Sequence, residues 1–196
     1  MNVLVTGGTG YLGRGLCQRL LADKNNVFVL TRSLKRAARL CPGTTAVSEL
    51  NKLNEHKIDL IYNFAGAPIA TGRWSPKRKQ ELLASRITLT QDLFTYFQSR
   101  DQHPHTVVSA SAIGFYGDQG DRAVTEESAG HDEFTHQLCR DWENSAQAFA
   151  ALGSQVCCLR LGVVIGKNSG FLKQLYWPYF FGMGGGWAVV SNGCLG

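Results

Sequence analysis

Short apolar runs alternate with longer segments whose apolar residues recur at helical spacing, and this alternation continues through most of the 196 residues. Asn2–Thr6 reads as a first strand. Tyr11–Lys24 carries Leu12, Leu16, Leu20 and Leu21 on one helical face. Asn26–Leu30 is a second strand, with a basic stretch from Arg32 to Arg39 behind it. A weak third strand lies near Thr45–Val47, Asp59–Asn63 is a buried strand, and Ser75–Arg100 supplies one or two helices. Thr106–Ala110 is another strand, and Phe134–Leu152 is a helix with Trp142 and Phe149 on one side. Gln155–Leu161 is a strand and Phe171–Phe181 an aromatic-rich helix. The pattern predicts an α/β fold: a Rossmann-like, doubly wound parallel sheet in three layers, with ligand at the carboxyl ends of its strands.

Composition narrows the function. With 44% hydrophobic residues, a chain of this length buries one good core. We expect residues 1–182 to form the dinucleotide-binding domain and 183–196 to be an aberrant tail. A net charge of +5 with scattered basic residues lacks the lysine-rich stripe of a nucleic-acid binder, so no nucleic acid is expected. That charge is either a solvated surface or an electropositive cleft for a phosphate-rich ligand. The six cysteines follow no zinc or knottin spacing, and no signal peptide precedes the first strand, so reduced thiols in a cytoplasmic protein are expected. No apolar stretch approaches membrane-spanning length, and no membrane partner is expected. His103 and His105 flank Pro104 without a third ligand nearby, and no metal is expected.

Chemistry is concentrated first in the turn Thr6-Gly7-Gly8-Thr9-Gly10-Tyr11-Leu12-Gly13, between the first strand and the first helix. Gly7 permits the tight turn, Gly10 lets backbone approach a pyrophosphate, and Gly13 lets helix and strand pack closely. Amides at the helix start, around Thr9 to Leu12, then face the phosphates, where the helix dipole favours negative charge. The end of the second strand lacks the acidic residue that would accept from ribose hydroxyls. It has Thr31 and Arg32 instead, followed by Lys35 and Arg36. A guanidinium grips a 2′-phosphate that a carboxylate would repel, so the expected cofactor is NADP. An exposed basic helix start is the alternative reading of the same residues.

The Gly-x-x-Gly-x-x-Gly spacing resembles the extended short-chain dehydrogenase/reductase family, the branch of nucleotide-sugar epimerases. Three further landmarks resemble it in order. Asn63-Phe64-Ala65-Gly66 resembles the segment whose backbone lines the cofactor. Ser109-Ala110-Ser111 resembles its serine-bearing strand end, and Arg160-Leu161-Gly162 the Arg-Pro-Gly that closes over the nicotinamide. Arg73-Trp74-Ser75-x-x-Arg78-Lys79 and Ser85-Arg86-Ile87-x-x-Thr90 are similar to one group of epimerase-family proteins, as are Val124-Thr125-Glu126-Glu127 and Leu138-Cys139-Arg140-Asp141-Trp142-Glu143. The resemblance implies cofactor contacts at Gly7, Thr9, Gly10, Tyr11, Leu12, Gly13, Arg32, Asn63, Ala65, Gly66, Leu161 and Gly162.

The wider family works through a Tyr-x-x-x-Lys pair, and here the pair is missing. Anchoring on Glu143, which resembles the glutamate that follows the lysine, puts Thr135 and Cys139 in the two positions. There is no lysine between Lys79 and Lys167 and no tyrosine between Tyr116 and Tyr176. Ser109, Ser111 and Tyr116 remain as candidate catalytic groups, each with strand-end or loop packing as its alternative role. Arg73, Arg78 and Arg86 either meet an anionic substrate or the cofactor ends, or are surface helix residues. Two functions follow: an NADP(H)-dependent enzyme with altered chemistry on an unknown small-molecule substrate, or a non-catalytic NADP(H)-binding sensor or interaction module.

The resemblance runs to about Gly185, and the residues from Gly186 to Gly196 do not continue it. Back-translated in the frame displaced by one base, they permit the family's continuation Leu-Gly-Ser-Gly-Lys-Gln-Trp-Met-Ser-Trp. We therefore expect a displaced reading frame and a largely absent substrate domain. The aromatic run Tyr176, Trp177, Tyr179, Phe180 and Phe181 would then lack cover, and either association as a homodimer or a marginally stable product is expected.

Overall fold

The computed structural model describes residues 1–70, 72–166 and 180. Six strands form one sheet: β1 (Asn2–Thr6), β2 (Asn26–Leu30), β3 (Thr45–Val47), β4 (Leu60–Asn63), β5 (Thr106–Ala112) and β6 (Gln155–Leu161). Every pairing is parallel and the strand order is β3-β2-β1-β4-β5-β6. The order reverses direction between β1 and β4, which opens a crevice at the carboxyl ends of those strands. This is the Rossmann-like α/β fold expected from the alternating pattern.

The strands are apolar on both faces because helices cover both. Val3 and Val5 of β1, with Val27 and Val29 of β2, pack on Cys17 and Leu20 of α1 (Tyr11–Ala22) and Ala37 of α2 (Leu34–Leu40). The intervening Leu4 and Phe28 point the other way, as strand alternation requires. They meet Leu93 and Phe97, followed by Phe149. The helices of that second face are α3 (Pro76–Leu83), α4 (Leu89–Gln98) and α5 (Phe134–Gln147), the last continued by a 3-10 segment at Ala148–Leu152 that carries Phe149.

Between α3 and α4 the chain does not break. Ala84–Thr88 forms a π-helical turn, so Ser75–Arg100 is a run of two helices joined by a widened turn. Such turns cost hydrogen-bond geometry and recur at functional sites. The expected helix at Phe171–Phe181 and the tail at 183–196 lie outside the described residues, apart from Phe180, which is exposed. Among the described residues, no helix is long and apolar enough to cross a membrane, and no cluster of His, Cys, Asp and Glu could hold a metal ion.

Candidate functional site

The glycine turn sits where β1 ends and α1 begins. A Cβ on Gly7 would stand 2.4 Å from the Phe64 carbonyl oxygen, and one on Gly13 would stand 2.3 Å from the Gly7 oxygen. Gly7 also has φ +69°, the left-handed region that side chains avoid. Both glycines are therefore required by the protein's own packing. Gly10 is different: a Cβ there would meet only the Gly7 oxygen, at 3.1 Å. Gly10 is also the N-cap of α1 and offers no side-chain acceptor, so the first-turn amides of the helix are uncapped. An uncapped helix start beside an open backbone edge suits an anionic ligand.

A cleft of about 360 Å³ begins at this turn. Its floor is Gly7, Gly10, Tyr11, Leu12 and Gly13, and its walls are the end of β4 at Phe64, the end of β5 at Ala110–Ala112, and Leu161 of β6. The far wall is Leu138, Cys139 and Trp142 of α5, with Ile69 and Arg86. Ser111 and Leu161 thus lie in the cleft with the turn, whereas Thr9, Asn63, Ala65, Gly66, Gly162, Ser109 and Tyr116 do not line it. Arg32 is exposed beyond the end of β2, where Ser33 accepts from the Arg36 amide and caps α2.

Residues beside the cleft hold it in shape. Thr6 Oγ1 donates to Asn63 Oδ1 at 2.8 Å, and Asn63 Nδ2 donates to Thr90 Oγ1 at 2.8 Å and Ser109 Oγ at 3.3 Å. Thr90 in turn donates to the Arg86 carbonyl at 2.6 Å, tying the π-helical turn to the strand ends. The Ala65 amide donates to Thr6 Oγ1 at 3.1 Å, which fixes the backbone that follows β4. Asn63 and Ser109 are buried and positional in this network.

Ser111, two residues further along the same face of β5, meets Glu143 of α5 instead of Asn63. Its hydroxyl donates to Glu143 Oε1 at 2.6 Å. Arg160 closes on the same carboxylate with two bonds of 2.9 Å, from Nε to Oε1 and from Nη2 to Oε2. Its Nη1 donates to the Tyr116 hydroxyl at 3.1 Å and to the Glu126 carbonyl at 3.0 Å, and its guanidinium lies 3.4 Å from the Phe115 ring centroid. These bonds push the Arg160 pKa further up, Glu143 contributing most. Tyr116 is buried with its hydroxyl engaged here.

Two side chains of α5, at the positions that anchoring on Glu143 picks out, are buried. Thr135 is 6% exposed and Cys139 4%. Burial pushes the Cys139 thiol up, against smaller opposing contributions from the Ala112 backbone and Ser111, so it is a poor nucleophile at neutral pH.

Arg73, Arg78 and Arg86, alike in the sequence, are separated by the structure. Arg73 is exposed, and Arg78 pairs with Glu81 at 2.7 Å. Arg86, on the π-helical turn, reaches the cleft. Its Nη2 donates to the Ala67 carbonyl at 3.0 Å and its Nη1 to the Leu82 carbonyl at 3.3 Å. Its guanidinium lies 5.2 Å from the Trp142 ring centroid. A Cβ on Gly66 would stand 2.9 Å from Arg86 Cζ, so the guanidinium's position explains that glycine. Burial pushes the Arg86 pKa down. The one advance signal was the Ser85-Arg86-Ile87-x-x-Thr90 pattern.

The model of the NAD dependent epimerase/dehydratase family matches residues 3–179. The chain belongs to that family. A relative from Arabidopsis thaliana, the chloroplastic epimerase family protein SDR39U1 homolog, is 36% identical over 95% of this chain and 55% of its own length. Epimerase family protein YfhF of Bacillus subtilis is 34% identical over 94% of this chain and 62% of its own. The chain therefore spans between half and two thirds of the length of these curated relatives. Human epimerase family protein SDR39U1, solved with NADPH, superposes with a TM-score of 0.76 at 27% identity, covering 93% of this chain and 61% of that one. A Bacillus cereus UDP-glucuronic acid 4-epimerase, at 20% identity and a TM-score of 0.71, shares the fold.

Proposed function

We propose that this chain binds NADP(H) across the carboxyl ends of its strands, without the Tyr–Lys proton chemistry of the wider family. The observation that carries this reading is the start of α1. A twelve-residue helix opens on the cleft with no side chain capping it, beside a glycine whose missing Cβ leaves the backbone bare. The pyrophosphate is assigned to the Tyr11 and Leu12 amides, and the 2′-phosphate to Arg32, past a strand end without a carboxylate. The human relative solved with NADPH supports the same choice.

A bound nicotinamide supplies or accepts a hydride. What this chain's own residues offer beside it is Ser111, whose hydroxyl proton is committed to Glu143 and whose oxygen can accept from a substrate hydroxyl. Arg160 keeps Glu143 in place as the acceptor. The substrate is a small molecule. The missing pair favours a second reading, a module that binds the cofactor without turning it over. Oxidation of bound NADPH by any carbonyl compound in a stopped-flow panel would eliminate that second reading.

Calorimetric titration tests the cofactor assignment. Wild type should bind NADPH more tightly than NADH, and Arg32→Ala should lose about 1.5–3 kcal/mol toward NADPH alone. Equal affinity of wild type for the two dinucleotides would refute the choice of NADP.

A further inference from the structure

The standard pair brings a cation into the cleft from α5, where this chain has Cys139. The cleft still contains a cation, but it comes from the π-helical turn that packs beside α5. Arg86 and Cys139 line the same cleft, close enough for each to affect the other's ionisation. Among the described residues no carboxylate pairs with Arg86. Its bonded partners are the carbonyls of Ala67 and Leu82 and the Ser85 hydroxyl. A guanidinium has five N–H donors, and these three bonds leave Nε and one Nη2 proton uncommitted. Removing such a charge from water without a counter-charge is unfavourable, so an oxyanion in the cleft would compensate it.

Three features show that the placement is built. The side chain sits on a π-helical turn whose carbonyl is held by Thr90, itself held by Asn63. Gly66 leaves room for the guanidinium. Trp142, which Arg86 overlies, has its Nε1–H buried without a partner. A Cβ on Gly7 would meet Phe64 and Ala65, and one on the next residue, Gly66, would meet Arg86, so one short backbone segment separates the glycine turn from the guanidinium.

We infer that Arg86 is the cationic clamp of this cleft, moved from α5 to the π-helical turn, and that it pairs with the pyrophosphate of the bound dinucleotide opposite the α1 amides. The inference rests on the NADP(H) reading for the identity of its ligand. It separates Arg86 from Arg32: loss of Arg86 weakens NADPH and NADH by the same factor, whereas loss of Arg32 weakens NADPH alone.

The test is fluorescence and calorimetric titration of wild type, Arg86→Gln and Arg86→Lys with NADPH, NADH and inorganic pyrophosphate, with circular dichroism confirming that each variant is folded. Arg86→Gln should weaken all three ligands roughly ten- to a hundredfold, as expected for a lost charge-assisted pair. Arg86→Lys, which keeps the charge and is the fallback if the glutamine variant does not fold, should recover part of the loss. In the Arg86→Gln background, Cys139→Lys returns the cation to α5 and should restore binding toward wild type. Wild-type affinity of Arg86→Gln for NADPH and for pyrophosphate would overturn the inference and leave the NADP(H) reading standing. If wild type binds no dinucleotide but holds pyrophosphate through Arg86, the NADP(H) reading fails and the anion clamp survives. Absence of binding to all three ligands would overturn both.

Discussion

Replacing Glu143 with glutamine keeps the shape of the side chain and removes its charge. In the folded protein Glu143 Oε1 accepts from Ser111 and Arg160 Nε, and Oε2 accepts from Arg160 Nη2. A glutamine retains one acceptor and turns an N–H₂ toward Ser111 or Arg160, so at least one bond is lost. The Arg160 side chain, 22% exposed, then keeps its charge without a counter-charge. Opposite charges about 4 Å apart interact by ~4 kcal/mol at an effective dielectric near 20, and partial exposure reduces the net effect. We expect a destabilisation of about 2–4 kcal/mol, somewhat less than the roughly 3–5 kcal/mol for breaking a fully buried pair, because this one is partly exposed. At about 2–4 °C per kcal/mol for a domain of this size, Tm falls by roughly 4–16 °C. Urea unfolding and differential scanning calorimetry measure both quantities. Arg160→Met in the same chain removes the orphaned charge, so the double variant should be more stable than Glu143→Gln alone. A Glu143→Gln protein within 1 kcal/mol of wild type, or a double variant at the sum of the single losses, would refute the coupling.

The other glycines of the turn should behave unlike Gly10. Gly13→Val places a side chain 2.3 Å from the Gly7 oxygen and 2.7 Å from Gly8 Cα, so a loss of about 3 kcal/mol of stability is expected in urea unfolding. Cys17 is buried and its pKa is pushed up to about 12, chiefly by desolvation. The folded state thus holds the thiol proton more tightly than the unfolded chain does. The resulting stability is fully present below pH 9 and is lost as pH rises from 9 toward 12. Unfolding free energy should change little between about pH 8 and 9 and fall from about pH 9 to 11, and Cys17→Ala should reduce that fall; an unchanged fall would remove Cys17 from the account.

The fold was legible because strand alternation and helical spacing are local signals. β2, β3 and β6 have the bounds read from the sequence, since each apolar run ends at a turn or polar residue. Strand β5 extends two residues further, to Ala112, because β6 pairs with it along its whole length. The widened turn at Ala84–Thr88 left no local signal, because its residues are ordinary helix residues. What sets Arg86 apart from Arg73 and Arg78 is long-range: Thr90 meeting Asn63, and Gly66 making room. The same holds for Ser109 and Ser111, adjacent on one strand face, which only the position of Glu143 distinguishes.

The central claim is that the glycine turn and the cleft beyond it hold a dinucleotide, and Gly10 tests it most directly. A side chain there meets only one backbone oxygen, at 3.1 Å, so Gly10→Val should keep the circular-dichroism spectrum of wild type while occupying the space a pyrophosphate needs. Parallel calorimetric titrations with NADPH should give saturable binding in wild type and none in Gly10→Val. A folded Gly10→Val protein that binds NADPH as tightly as wild type would contradict the account.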